Sequence, residues 1–234
     1  KIPQINNLIT DLVKQEPAVV SVMQNINPQK TSLVWGAKTV HLYGQDQFVE
    51  KIGNVEYRLS ARAFFQLNTL QTEKLYAKVK EALDLEAGEL LVDAYCGVGT
   101  IGIFLAQEAR GVYGMDVTPE AIVDARQNAQ LANLTNAHYE VGTAQDWFAK
   151  WTSQGIIPDA LVVDPPRTGL DDKLIATILK YRPAKFVYVS CNPSTLAADL
   201  VLLTKAYTVE YIQPLDMFPQ TARSEAVVKL KLKK

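Results

Sequence analysis

LVDAYCGVGTIG, residues 91–102, is the stretch on which the reading of the fold turns. An apolar run ends at Asp93, small residues follow, and a helix-forming segment begins. Gly97 and Gly99 let the backbone turn tightly and come close to a ligand. The helix that opens there offers free N–H groups at its start. The spacing is G-x-G, with Phe104 and Leu105 where a dinucleotide fingerprint would carry its third glycine, and no lysine is placed to cradle phosphates. A lone G-x-G does not by itself choose a ligand.

Outward from this turn the pattern is regular. Apolar strand candidates are ELLVDAYC (89–96), GVYGMD (111–116), AHYEV (137–141), DALVVDPP (159–166), KFVYVSC (185–191), YTVEYIQPLDMF (207–218) and EAVVKLKL (225–232). Helical segments at 98–109, 118–133, about 144–153, 172–182 and 193–206 separate the first six. Strand–helix alternation predicts a doubly wound parallel sheet. The last two strands have no helix between them, so they should pair antiparallel. The whole resembles the class I S-adenosylmethionine methyltransferase fold, an α/β, Rossmann-like seven-stranded sheet whose last strand is antiparallel. In such sheets ligands sit at the carboxyl ends of the strands.

Residues 1–60 read differently, as a small α+β subdomain. Lys1 begins inside a helical-looking stretch, and the chain is expected to be an excised piece of a longer protein. PAVVSVMQNI (17–26) and TVHLYG (39–44) suggest short strands, with QNINPQKTS (24–32) as a loop. KIGNVEYRLSARAFFQLN (51–68) suggests a hairpin turning at Gly53-Asn54 and then an extended entry to a helix over 68–85. In that helix Leu70, Leu75, Tyr76, Val79 and Leu83 recur at helical spacing.

Composition narrows the class. The 234 residues are 48% hydrophobic and 21% charged, as in globular proteins, and no apolar run has the ~18–20 residues of a membrane span. Net charge is −1, so no global basicity points to nucleic acid. The KLKLKK tail (229–234) is expected as an edge strand running into solvent. Two cysteines and two histidines, His41 and His138, in unrelated contexts predict no structural metal and fit a reducing compartment.

Candidate site residues collect at the strand ends. Asp116 closes the second strand of the regular region, 23 residues after Asp93, an offset at which acids receive ribose hydroxyls. The alternative is a helix cap, for which Thr118 is better placed. Asp164 leaves the fourth strand where Pro165-Pro166 end it, and Arg167 follows where amino-group methyltransferases carry a stacking aromatic. That departure argues against methylation of an exocyclic amine. Cys191 ends the fifth strand at the same rim. It is either a buried small residue or a nucleophile. Cys96, inside the glycine turn, reads as structural. C5 of a pyrimidine is a weak nucleophile, and a thiolate adding to C6 makes it enolate-like. Such chemistry needs a base to remove the C5 proton. Glu225 is the candidate, with a plain hairpin residue as the alternative.

Five motifs in order, FFQLN (64–68), DAYCGVGTIG (93–102), DPPRTGLD (164–171), SCNPSTLAADL (190–200) and DMFPQTARSEAVV (216–228), resemble the RNA uracil-5-carbon methyltransferases. VVSVMQNINP (19–28) resembles that family's central subdomain. The resemblance implies a remnant of the central RNA-binding subdomain over 1–60 and a catalytic domain over 61–234. It implies Cys191 as nucleophile and Glu225 as base. Gln66, Tyr95, Gly97, Gly99, Thr100, Asp116 and Asp164 would line the S-adenosylmethionine site. Gln66, Asp164 and Arg167 would meet the target base, although Gln66 alone reads equally as a solvated helix-start residue. The product cofactor would be S-adenosylhomocysteine, the partner RNA, the state monomeric and the location cytoplasmic. Ser224 stands where the family often has a histidine before its catalytic glutamate, and the family's N-terminal barrel and clustered cysteines are absent. DMFPQTARSE leans toward 23S ribosomal RNA over transfer RNA. An RNA cytosine-5 methyltransferase, a noncatalytic RNA-binding module and a nicotinamide oxidoreductase are the other readings.

Overall fold

The computed structural model describes residues 2–30 and 35–234. The end of the loop expected over 24–32 lies outside the described residues. Helix α1 (Ile5–Gln15) leads to an antiparallel pair, β1 (Ser21–Ile26) and β2 (Lys38–Gly44). A second hairpin follows, β3 (Gln47–Ile52) and β4 (Val55–Ser60), with Gly53 in its turn at φ 57°. After α2 (Thr69–Leu83) come β5 (Leu90–Ala94), α3 (Thr100–Leu105), β6 (Gly111–Asp116), α4 (Pro119–Leu131), β7 (Ala137–Val141) and α5 (Ala144–Ser153). The chain continues through β8 (Ala160–Val163), α6 (Asp172–Tyr181), β9 (Lys185–Ser190), α7 (Pro193–Leu203), β10 (Tyr207–Leu215) and β11 (Glu225–Leu232).

The main sheet has seven strands in the order β10-β11-β9-β8-β5-β6-β7, with β11 antiparallel to both neighbours. Its central strands are buried on both faces, which is why they read as continuous apolar runs: all four residues of β8 and all five of β5 are buried. Two apolar clusters fill the space on either side, one around Leu91, Val162 and Val187, the other around Val92, Leu161 and Tyr188.

Several expectations change. The lysine-rich C-terminal strand is interior, not an edge. Val227, Val228 and Leu230 are buried, and Lys229 and Lys231 reach Glu210 on β10, each at 3.6 Å. Long lysine stems carry their charge out of such a position to a neighbouring carboxylate. Helix α3 spans only six residues of the expected 98–109. Leu70, counted with the apolar face of α2, points to solvent at 76% exposure. Thr118 stands at the cap of α4 but makes no side-chain cap bond.

The β3–β4 hairpin packs into the body built on the seven-stranded sheet. Ile52, Tyr57 and Leu59 belong to its core. Asn128 and Asp124 on α4 accept the Arg58 and Ser60 N–H groups at 2.7 and 3.0 Å. The Tyr57 hydroxyl donates to the Thr100 carbonyl at 3.1 Å.

Candidate active site

The chain leaves β5 into a turn held in the left-handed region. Tyr95, Gly97 and Gly99 have φ of 64°, 53° and 83°. Gly97 faces open space, with nothing within 4 Å of where a Cβ would stand, while a Cβ on Gly99 would come within 3.0 Å of the Tyr139 ring. One glycine thus leaves room for a ligand and the other for close packing. Thr100 opens α3 and receives the Tyr76 hydroxyl at 2.7 Å. Beneath, buried Asp93 accepts the Gly102 N–H at 2.8 Å, and its other oxygen has no partner. Burial, more than any charge, pushes its carboxyl up to about 7.

Asp116 ties this turn to the end of β6. Its carboxylate accepts the Gly97 N–H at 3.2 Å and the Thr118 N–H at 2.8 Å. The second bond gives the α4 entry what the Thr118 side chain does not. Beside it is a pocket of about 60 Å³ lined by Tyr95, Asp116, Val117, Thr143, Gln145 and Asp171, among others. Tyr95 and Asp171 meet across its rim at 3.4 Å. Ionised carboxylate oxygens keep lone pairs beyond those already used, so Asp116 retains acceptor capacity toward the pocket. Open space at Gly97, a ring of polar groups and an acid at the β6 end fit a nucleoside-bearing cofactor.

Parallel pairing of Ala94 with Val163 places Tyr95 and Asp164 side by side at the sheet's carboxyl rim. Asp164 precedes Pro165-Pro166, and exposed Arg167 follows. On β9, Ser190 pairs with Ala226 of β11, so Cys191 and Glu225 are the next residues along the two strands. Glu225 is buried, and its Oε2 has no hydrogen-bond partner among the described residues. The two loops are laced together, since the Asn192 amide donates to the Arg167 carbonyl at 2.9 Å.

The electrostatics are those of a crowded acidic site. Burial, then Glu225 and Asp93, pushes Asp164 up to about 8. Burial also raises Glu225, opposed by the Arg167 cation. The Cys191 thiol is raised by burial and by Glu225 and Asp164, and Arg167 opposes this too. A nucleophilic thiol is expected to be lowered. Here burial first, and then the neighbouring acids, raise the thiol against the opposing arginine.

Gln66 is half-buried in the segment between β4 and α2. Asn68, which caps α2, donates from its amide to the Met217 carbonyl at 2.9 Å and so draws this segment to the loop ahead of Glu225. Cys96 is buried, and neither cysteine is in a disulfide. The sequence reading did not single out Asp171, Thr143 or Gln145. For Thr143 and Gln145 the signal is position alone, since they follow the carboxyl end of β7, while Asp171 closes the DPPRTGLD stretch after β8.

The sheet order, the single antiparallel strand and the glycine turn define a class I S-adenosylmethionine methyltransferase fold. The tRNA (uracil-5-)-methyltransferase family model matches residues 45–233, and the chain belongs to that family. It is 55% identical over 233 residues to an uncharacterised RNA methyltransferase of Bacillus anthracis, covering 100% of this chain and 51% of that protein. It is 57% identical over 230 residues to one of Enterococcus faecalis, covering 98% and 50%. The crystal structure of Pyrococcus abyssi tRNA (uracil-54, C5)-methyltransferase in complex with S-adenosyl-L-homocysteine superposes with a TM-score of 0.75 at 35% identity. That likeness covers 90% of this chain and 50% of the other. The chain thus spans about half the length of the curated relatives it matches. No helix among the described residues is long and apolar enough to cross a membrane.

Proposed function

We propose that this chain carries out S-adenosylmethionine-dependent methylation of C5 of a uridine in RNA, with Cys191 as nucleophile and Glu225 as base. The observation that carries the reading is their facing position at the end of the β9–β11 ladder, on the rim that also carries Asp164. Gly97, Gly99, Thr100, Tyr95 and Asp116 would hold the cofactor, with Gln66 and Asp164 between cofactor and base. When bound, S-adenosylmethionine supplies an electrophilic methyl group on a sulfonium. Cys191, having given its proton to solvent, bonds as the thiolate to C6, and the C5–C6 π electrons become available for carbon–carbon bond formation at C5. Glu225 then takes the C5 proton, the electrons of that C–H bond restore the C5–C6 double bond, and the C6–S bond breaks to return the thiolate. Arg167 is the cation available to stabilise the sulfur's negative charge before addition and after release.

Residues 61–234 carry the chemistry in this reading. Residues 1–60 face RNA, with their second hairpin anchored in the catalytic core. The protein acts as a cytoplasmic monomer. The RNA is 23S ribosomal RNA on the wording of residues 216–225. A transfer RNA is the second reading, favoured by the 35%-identical transfer RNA enzyme. Incubation with methyl-labelled S-adenosylmethionine and each RNA, followed by nucleoside analysis, tests this. Label in 5-methyluridine is expected, and label in 5-methylcytidine or in no nucleoside would overturn it. S-adenosylhomocysteine should raise the melting temperature and NAD should leave it unchanged.

A further inference from the structure

Asp199 lies on α7 and is buried at 7% exposure. One of its oxygens, Oδ2, accepts both the Tyr188 hydroxyl at 2.7 Å and the Leu170 N–H at 2.9 Å. It thereby joins β9 to the turn that follows Pro165-Pro166. The fit is close on the third side as well. Gly169 has φ +79°, and a Cβ there would stand 2.7 Å from the same oxygen. The other end of the turn is gripped from α7 too. The Arg167 carbonyl accepts the Asn192 amide at 2.9 Å and the Thr195 hydroxyl at 3.3 Å. Residues 167–170 are therefore held at both ends by side chains that flank or follow Cys191.

A buried carboxylate is costly to desolvate, and hydrogen bonds to it are shorter and stronger than those to a neutral acceptor. Such a group suits a place where the position of a loop matters. What this loop presents is Arg167, the cation that, among the described residues, opposes the acids around Cys191 and Glu225.

We propose that Asp199 is a positioning residue for the reaction: by clamping Leu170 against β9 it sets where Arg167 stands relative to Cys191 and Glu225. This rests on the functional reading above. Its test reads the thiol directly and needs no RNA, so the two can fail separately.

The rate of Cys191 alkylation by iodoacetamide is followed against pH, with peptide mapping to separate it from buried Cys96. Arg167→Ala should raise the midpoint of the profile, because the cation favouring thiolate is gone. Asp199→Ala should raise it by the same amount, and the double variant no further. Each unit of rise slows alkylation about tenfold at a fixed pH below the midpoint. Asp199→Asn, which keeps an oxygen in place for both donors, should bring the midpoint back toward wild type. If Asp199→Ala does not fold, Gly169→Ala displaces the carboxylate instead and should raise the midpoint likewise. An unchanged midpoint in Asp199→Ala or Gly169→Ala, or shifts that add in the double variant, would overturn the proposal. So would an unchanged midpoint in Arg167→Ala.

Discussion

Cys191 and Glu225 come from strands that run in opposite directions, and the register of those strands brings them together. Ser190 faces Ala226, so the next residues along the ladder, Cys191 and Glu225, project to the same side. The proximity shows in the thiol itself, which is pushed up by burial and, next, by Glu225. A nucleophile and a base so placed can act on adjacent carbons of one ring.

Separate defects are therefore expected. Cys191→Ala should abolish both methyl transfer and any covalent protein–RNA adduct. Glu225→Gln should still allow addition and methyl transfer, then stall before elimination, leaving the sulfur on C6 of a methylated base. A denaturing gel should show a shifted band for Glu225→Gln that disappears when Cys191→Ala is added. The full-length protein is the one to use, since curated relatives carry as much chain again. Normal turnover by Cys191→Ala would return the cysteine to the role of a small residue at a strand end.

Asp116→Ala should weaken S-adenosylmethionine binding tenfold or more. Hydrogen bonds to a charged group contribute about 1.5–3 kcal/mol, and tenfold is about 1.4 kcal/mol. Two effects combine here, because the carboxylate also holds the Gly97 and Thr118 N–H groups. Asp116→Asn keeps one acceptor oxygen and should lose less. Calorimetry checks both, and unchanged affinity in Asp116→Ala would remove this residue from the cofactor site.

The strand–helix alternation was legible because parallel strands covered on both faces cannot hide their apolar runs. The place of β11 was not. Alternating lysine and leucine reads as an edge strand, and only the fold shows that Glu210 waits for the lysines. The short α3 was equally opaque, since Phe104 and Leu105 look like the middle of a longer helix. Cys191, Asp164 and Asp116 reach one rim by ending parallel strands, which a sequence can reveal. That Glu225 faces Cys191 depends on how an antiparallel strand inserts between β9 and β10, a non-local choice. Asp199 lies within the SCNPSTLAADL stretch, but nothing in that stretch shows that it bonds Tyr188 and Leu170.

Buried Asp93 and half-buried Asp164 predict how stability follows pH. Asp164 is raised to about 8 and Asp93 to about 7, both from 3.8. Between the unfolded and folded values the native state holds protons that the unfolded chain has released. Their contribution is thus full below about pH 4 and is lost as pH rises through 7 and 8. Asp164→Asn removes one such group. The melting temperature of the variant relative to wild type should climb between pH 5 and pH 8. A difference that stays constant over that range would mean that Asp164 ionises normally in the folded chain.

The same weakened acidity of Asp164 bears on which base is accepted. With its carboxyl pushed up to about 8, Asp164 carries a proton at neutral pH and can donate a hydrogen bond. Gln66 has an amide that both donates and accepts. Uracil offers O4 as an acceptor and N3–H as a donor, which this pair can match. Cytosine presents an amino group at position 4 and an unprotonated N3, the reverse polarity, so a pair held by its surroundings in the orientation that matches uracil meets a mismatch at both atoms. Buried polar groups left unpaired by the wrong ring discriminate strongly, by about 10⁴-fold or more where a site is built around such bonds. Matched RNAs carrying uridine or cytidine at the target should therefore differ by several orders of magnitude in methylation rate at pH 7. Gln66→Leu should narrow that gap by slowing uridine. Equal rates on the two wild-type substrates would show that neither residue reads the base.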